Sequence, residues 1–501
     1  MIPPVSEPPG NGGSQKNFDD LPAAPAILST RIPSLDILRG IAVLAALFIS
    51  IWVFGGFSAN LQNALLIKSK GFDYRLFGTV DILFNGKMRA LIAIVFGAGM
   101  IVFLSKENQK NQIRSADLFI SRQLWLIIFG LINAFIFLWS GDMLFHLGIM
   151  GILLFPFVRL SKRGLLITAI LVTFIYSGKN YWKYADDRKV YNKYLVVLAV
   201  EKKITKDSAD KAKKDSIIKK QEKDSVLTAQ KKDTLLQKKD TLTKEQQDDK
   251  GAWTGIVAGM KYDPKKDDAE KKAMRSVSYS KLWNHVLGRS QAREAQWTYQ
   301  TGIWDFASMI LLGMALFKFS FFNSRYSRQQ YLLIAIVGLT VGILLGWFRL
   351  HYNQIALKDY AKFIDENWLP YSIFFPFERG FMALGYSSLV LAMIGTRPLN
   401  RLSGGIACTG QMALTNYLMQ SIICTVFFTG FGMGYFGRLG QWQLYFIAAE
   451  ICLFQIVFSI LWLRYYQHGP AEWIWRCLIH RKWLPNRIHQ SKLTETATTI
   501  F

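Results

Sequence analysis

The sequence predicts an all-α fold, a polytopic membrane bundle of about ten transmembrane helices interrupted by a large polar extracytoplasmic insertion. Three observations predict it. Apolar stretches recur along the 501 residues, and about 20 such residues cross the hydrocarbon of a bilayer. The stretches lack the period-two alternation of a membrane barrel, which leaves helices as the spanning element. Aromatic residues make up 14% of the chain, with 15 Trp, as interfacial belts require.

Residues 1–30 are rich in Pro, Gly and Ser and carry no apolar h-region, so they read as a disordered leader ahead of an uncleaved first span. Spans are expected near 36–58, 80–104, 118–139, 143–158 and 163–177, forming a five-span bundle over 31–177. Residues 178–300 follow as a charged insertion, whose low-complexity core over 201–250 repeats KKDSIIK, EKDSVLT and KKDTLLQ. Its apolar pairs recur nine apart, which is neither a heptad nor eleven, so a charged, solvated helix or a disordered segment is expected there. Further spans near 301–322, 330–350, 370–395, 408–434 and 441–464 build a second five-span domain over 301–480, with an interfacial helix at GPAEWIWR. Residues 481–501 form a tail.

The net charge is +25. Much of the excess sits in alternate short loops and the tail, as at Arg159, Lys162 and Arg163, or Arg464, Arg476 and Arg481. Orientation in a cell (inner) membrane explains it, with both termini cytoplasmic and 178–300 outside. Lys68, Lys70 and Arg75 run against this trend. No reading motif accompanies the charge, so nucleic acid is not an expected partner. The four cysteines form no CxxC or Cys/His pattern, so neither a disulfide framework nor a metal centre is predicted, and no cofactor follows.

Ionisable groups in spans are costly and mark candidate sites. Asp36 and Arg39 share a face at the start of the first span, either as an interfacial anchor with Ser34 as cap or as part of a site. Lys87 and Arg89 precede an apolar run, where they snorkel or hold an anion, while Gly97 and Gly99 permit close helix packing. Asp142 and His146 are four apart on one face, so the acid either stabilises a helix start or orients a general base. Glu378 and Arg379 lie inside a span and point to different partners. Gln411 with Thr415, and Asn416 with Gln420, form polar stripes that glue helices or line a cavity. Glu472 is placed to pair with Arg476.

The segments SLDILRG at 34–40, FNGKMRALIAIVFGAGM at 84–100, WSGDMLFHLGIMGILLFPF at 139–157, DFASMILLGMALFKFSFF at 305–322, GQMALTNYLMQS at 410–421 and GPAEWIWR at 469–476 resemble the YeiB-like bacterial membrane proteins, the domain-of-unknown-function family number 418. More distantly, the Leu-Arg-Gly of the first span resembles the membrane acyltransferase superfamily. That resemblance implies ten or eleven spans and transfer of an acyl group from a cytoplasmic donor, such as acyl-CoA, to a cell-surface carbohydrate. In acyltransferase family 3 a histidine base follows the Arg by eleven positions; here Ser50 stands there, and no histidine occurs before His146.

Three functions are therefore open. The first is acyl transfer, with His146 and Asp142 as base and orienter, and Arg39, Lys87 and Arg89 holding anionic groups. The second is a transporter or flippase for a small anionic solute, its path lined by Glu378, Arg379 and the amide stripes with Asn416 and Gln420, while Asp36 is a further candidate for binding substrate or donor. The third is a non-catalytic scaffold in membrane lipid, whose insertion binds a partner.

Overall fold

The structure is a computed structural model that describes residues 32–57, 59–68, 70–107, 112–221, 242–323, 325–394 and 396–488. The leader, the end of the tail and the core of the insertion at 222–241 lie outside them. The described residues are helical throughout, with one isolated bridge pairing Tyr466 and Arg487.

Helix α1 (Pro33–Phe54) starts with Pro at its first position, where a missing N–H costs nothing. Ser34 does not cap it, because its hydroxyl donates to Phe322 O at 2.8 Å. Helices α2 (Ala59–Lys68) and α3 (Phe72–Phe84) follow, and the Asn85-Gly86 break separates α3 from α4 (Lys87–Glu107). Gly86 has φ +74°, and a Cβ there would meet Arg379 Cδ at 2.7 Å. Next come α5 (Gln112–Phe135), the short α6 (Leu144–Leu153), and α7 (Lys162–Gln221), a single helix of 60 residues. Beyond lie α8 (Lys244–Met260), α9 (Pro264–Met274) and α10 (Tyr279–Gln291). A π-helix over Ala292–Gly302 joins α10 to α11 (Ile303–Lys318). The chain closes with α12 (Arg328–Lys358), α13 (Tyr360–Glu366), α14 (Phe375–Met393), α15 (Arg397–Gln411), α16 (Ala413–Phe428), α17 (Gln441–Tyr465) and α18 (Pro470–His480).

Among the described residues, six helical stretches are long and apolar enough to cross a membrane, where the sequence led us to expect ten: Pro33–Phe54, Phe72–Ser105, Arg114–Phe135, Tyr279–Lys318, Arg328–Lys358 and Gln441–Tyr465. The difference has local causes. The expected span at 143–158 is the ten-residue α6 followed by a 3₁₀ turn at Phe155–Arg159. The segment at 163–177 is the base of α7. The segment at 370–395 folds as the 19-residue α14, interrupted in polarity by Glu378 and Arg379. That at 408–434 breaks at Met412 into α15 and α16. The boundary drawn at residue 300 falls inside the continuous run Tyr279–Lys318.

Polarity is arranged for lipid. Leu333, Ile336, Leu344 and Trp347 on α12 face outward, as do Phe446, Leu453, Phe454 and Leu461 on α17, while Lys87, Glu378, Arg379 and Asp142 are wholly buried. Close helix contacts use small residues, as expected where lipid tails are as apolar as the side chains. A Cβ on Gly97 of α4 would lie 2.1 Å from Ile310 O of α11, and one on Gly313 of α11 would lie 2.0 Å from Ile94 O. Gly99, by contrast, faces open space. Gly40 and Gly410 bring α1 and α15 together in the same way.

The polar segment has a small core of its own. Tyr184 and Tyr191 of α7, Trp253 of α8 and Phe363 of α13 are buried together, and Trp253 stacks on Tyr360 at 5.7 Å. Tyr191 donates to Asp365 at 2.9 Å. Burial, with this carboxylate, pushes its phenol up to about 12, so it stays a donor at neutral pH.

Candidate functional site

Three linked groups of charges occupy the bundle interior. In the first, Glu378 of α14 pairs with Lys87 of α4 and, at 2.7 Å, with Arg349 of α12, which also binds Asp81 of α3. Lys87 donates to Asp81 O at 3.0 Å. Two cations meet two acids, so this group is neutral and closed. Such a network holds four helices in register, because losing one partner strands a buried charge.

The second group has two cations and one acid. Asp305, near the start of α11, accepts from Arg89 at 2.9 Å and from Arg379. Arg379 is fully buried, yet its Nε and Nη2 have no partner among the described residues. Its guanidinium lies against the rings of Phe375 and Tyr176.

The third group inverts that balance, with two acids and one arginine around a histidine. The π-helix creates it. Its wider turn sets Arg293, Glu294, Trp297 and Thr298 against α6. His146 is 1% exposed, packed between Trp297 at 5.1 Å and Phe306 at 5.4 Å. The Thr298 hydroxyl donates to Arg293 O, five residues back, at 3.1 Å. Its single proton thus used, it accepts from His146 Nε2 at 2.8 Å. With the hydroxyl proton on Arg293 O, the arrangement suits the tautomer in which Nε2 carries the hydrogen and Nδ1 presents a lone pair. Nδ1 has no hydrogen-bond partner, and the nearest acidic oxygen, Glu294 Oε2, is 3.8 Å away. Both Glu294 oxygens are likewise unpartnered, and Glu294 is 7% exposed. Asp142 is fully buried and completes the group, with ligand-type atoms of Asp142, His146 and Glu294 all within 4.8 Å of one another.

Asp142 does not hydrogen-bond the imidazole. Its carboxylate accepts from Asn133 Nδ2 and from Phe145 N, both at 2.8 Å, and so starts α6. Thr298 orients the ring instead. The second and third groups touch through Trp297, whose ring lies under both Arg89, at 5.5 Å, and Arg293, at 3.3 Å.

Of the residues singled out in the sequence, Lys87, Arg89, Asp142, His146, Glu378 and Arg379 therefore meet in one charged interior. The others do not join them. Asp36 and Arg39 pair with each other at 2.8 Å near the start of α1. Asn416 donates to Ser459 Oγ at 3.0 Å and Thr409 O at 3.1 Å, while Gln420 donates to Gln455 at 2.9 Å and Val43 O at 3.2 Å. These amides bind α1, α15, α16 and α17 together. Glu472 accepts from Leu414 N, Thr415 N and the Thr415 hydroxyl, capping α16 and fixing the break at Met412. Ser50 sits half-buried in α1.

Asp81, Asp305, Arg349, Arg293, Glu294 and Thr298 were not singled out. The first three lie in expected spans, and the cost of intramembrane charge points to them as it does to Glu378. The last three fall on the outer side of the boundary at 300, where charge looks ordinary.

Fold and site together define an all-helical, multi-span membrane protein with a charged interior. Its C-terminal region, residues 316–482, matches the family described as "Protein of unknown function (DUF418)". The chain is 26% identical over 461 residues to the uncharacterized protein YeiB of Escherichia coli (strain K12), covering 89% of this chain and 96% of that one. It is 25% identical over 467 residues to the uncharacterized protein YxaH of Bacillus subtilis (strain 168), covering 92% and 97%. A third relative, an uncharacterized 39.9 kDa protein in the amylase 3' region of Bacillus acidopullulyticus, is 30% identical over 100 residues, which is 20% of this chain and 28% of that one. No solved structure matches. The family match over the C-terminal third and the two relatives that run most of its length support a YeiB-like DUF418 family for this chain.

Proposed function

We propose that the protein is an integral-membrane acyltransferase, moving an acyl group from an anionic cytoplasmic donor of the acyl-CoA type to a hydroxyl or amine of an extracytoplasmic carbohydrate. The observation that carries this reading is the juxtaposition of two incomplete groups: bare basic atoms on His146 and Glu294, and bare cationic donors on Arg379. Acyl transfer needs both. A basic centre takes the acceptor's proton, and preorganised donors stabilise the negative charge that develops on the acyl oxygen. The link to the acyltransferase superfamily rests on the Leu-Arg-Gly opening, with Ser50 in place of that family's histidine. His146 supplies the imidazole from a different helix.

With both termini in the cytoplasm of an inner-membrane protein, the loop carrying Asp142 lies toward the outer face, where a carbohydrate acceptor arrives. The transporter reading has less to draw on. Most of the residues that would line its path are committed, since Glu378 is doubly paired and the amides bond between helices, although Arg379 keeps unpartnered donors.

The test is transfer of labelled acyl groups from acyl-CoA to glycans in membranes containing the protein. His146→Ala and Glu294→Gln should each lower transfer by about 10²-fold or more while the protein still elutes as a single species. Wild-type protein that neither binds nor consumes acyl-CoA would overturn the reading, and anionic-solute uptake sensitive to Arg379→Gln would replace it with transport.

A further inference from the structure

The His146 group has a feature that acyl transfer does not demand. Two buried polar atoms without a hydrogen-bond partner, Nδ1 of His146 and a Glu294 carboxylate oxygen, face each other across 3.8 Å. In water this would be harmless. Buried, each of them has given up its hydration and received nothing in return. Asp142 adds a second carboxylate within 4.8 Å. The neighbouring arginines do not make up the deficit: Arg89 is bound to Asp305, and Arg293 lies flat on Trp297 with its Nε unpartnered. What fits between the acceptors is a cation.

From this juxtaposition we infer that Asp142, His146 and Glu294 form a divalent metal site. One imidazole nitrogen and two carboxylates suit Zn²⁺ or Mn²⁺ rather than the all-oxygen shells of Ca²⁺ or Mg²⁺. The 3.8 Å gap matches two ligands about 2.0–2.2 Å from a shared ion. Glu294, whose oxygens accept no hydrogen bond, is free to rotate toward a shared ion. The supporting shell is already in place. Ligating histidines donate their other ring N–H to a fixed acceptor, and Nε2 does so to Thr298; ligating carboxylates are themselves hydrogen-bonded, and Asp142 accepts from Asn133. Three protein ligands leave a coordination position open, as in metal sites that handle a substrate oxygen. Sequence spacing hides the site, because Glu294 comes from a helix 148 residues away from His146. The site stands whether or not the chain transfers acyl groups; were a metal bound, Nδ1 and Glu294 would be its ligands, and a water at the open position would take the place of the bare base.

The experiment uses the full-length protein in detergent, freed of any polyhistidine tag and stripped with EDTA. It is then incubated with Zn²⁺, or in parallel Mn²⁺, and cleared of excess ion. Elemental analysis should find about one ion per chain in the wild type, a stoichiometry a three-ligand site requires. His146→Gln and Glu294→Gln should lower this at least tenfold, and His285→Ala, which alters a half-buried histidine paired with Glu270 outside the group, should leave it unchanged. Bound metal in the wild type no greater than in His146→Gln overturns the site, as does full loading of Glu294→Gln. Should both variants fail to fold, Zn K-edge absorption of the wild type decides. One imidazole with oxygen donors supports the assignment; sulfur or two imidazoles refute it. Loss of transfer in His146→Ala without any metal binding would leave the enzymatic reading intact and remove the metal.

Discussion

At the scale of single residues, the interior separates groups that are complete from groups that are not. The Lys87–Glu378–Arg349–Asp81 network is complete, so its members act on stability. Arg349→Ala strands Glu378 and Asp81 as buried acids, and we expect a loss of about 3–5 kcal/mol. The corresponding drop in thermal midpoint should appear in detergent whether or not substrate is present. Thr298→Val tests a different property. It keeps the volume but removes the acceptor that holds Nε2, so the ring is free to change tautomer. We expect the folded protein to keep its midpoint within a few degrees while transfer or metal loading falls about tenfold or more, an effect of the size seen when such supporting partners are removed. An unchanged Thr298→Val protein would show that the ring is held by its aromatic neighbours alone. Half of this site was legible in the sequence. Asp142 and His146 stand out because an i,i+4 pair in an apolar run is rare and visible. Glu294 and Thr298 do not, because the segment containing them is polar on average. Only the π-helical turn reveals that one of its faces is buried.

At the scale of elements, the sequence reads polarity well and breaks badly. Hydropathy finds the apolar segments, yet six stretches of spanning length stand where ten were expected. Of the other four, three are shortened or interrupted at polar residues that no window average registers, and the fourth is the base of the long α7. The break between α15 and α16 depends on Glu472, 60 residues beyond Met412 in the sequence. Glycine positions carry a related message. Gly313 and Gly97 set the α4–α11 contact, and each meets a backbone carbonyl that cannot move aside. Gly313→Val should therefore separate the helices and leave little monodisperse protein. Gly99→Ala, two residues along α4 from Gly97 yet facing open space, should be nearly silent or slightly stabilising. Equal behaviour of the two variants would mean that the helices are not packed as described.

At the scale of the whole molecule, orientation follows from loop charge and is open to direct measurement. The native cysteines are buried or half-buried, so introduced thiols report cleanly. With Lys265→Cys and Lys482→Cys, an impermeant thiol reagent should label only the first in intact cells. The reverse pattern would invert the proposed topology and put the His146 group toward the cytoplasm. The class of fold, all-helical and lipid-facing, was legible because it is written in composition. The arrangement of the charged interior was not, because its ion pairs join residues such as Asp81 and Arg349 that lie 268 positions apart.

Helix α7 gives the molecule an unusual reach. At 1.5 Å per residue its 60 residues extend about 90 Å. That is about three times the thickness of a bilayer's hydrocarbon, about 30 Å. Near its base, Tyr176 lies against the Arg379 guanidinium, and Ser177 donates to Ile373 O at 2.7 Å. Its far end carries Lys202, Lys203, Lys206, Lys213 and Lys214. Charges there sit several screening lengths from the interior, since the field of an exposed charge fades over about 8 Å at physiological salt. Replacing these lysines with glutamine should therefore leave the buried chemistry unchanged within about twofold, and a larger effect would show that the far end folds back. Electrically, the two ends of α7 are strangers. Mechanically they are one rod, so a tug or twist on the outer end arrives at Tyr176 and Arg379 as displacement rather than as voltage.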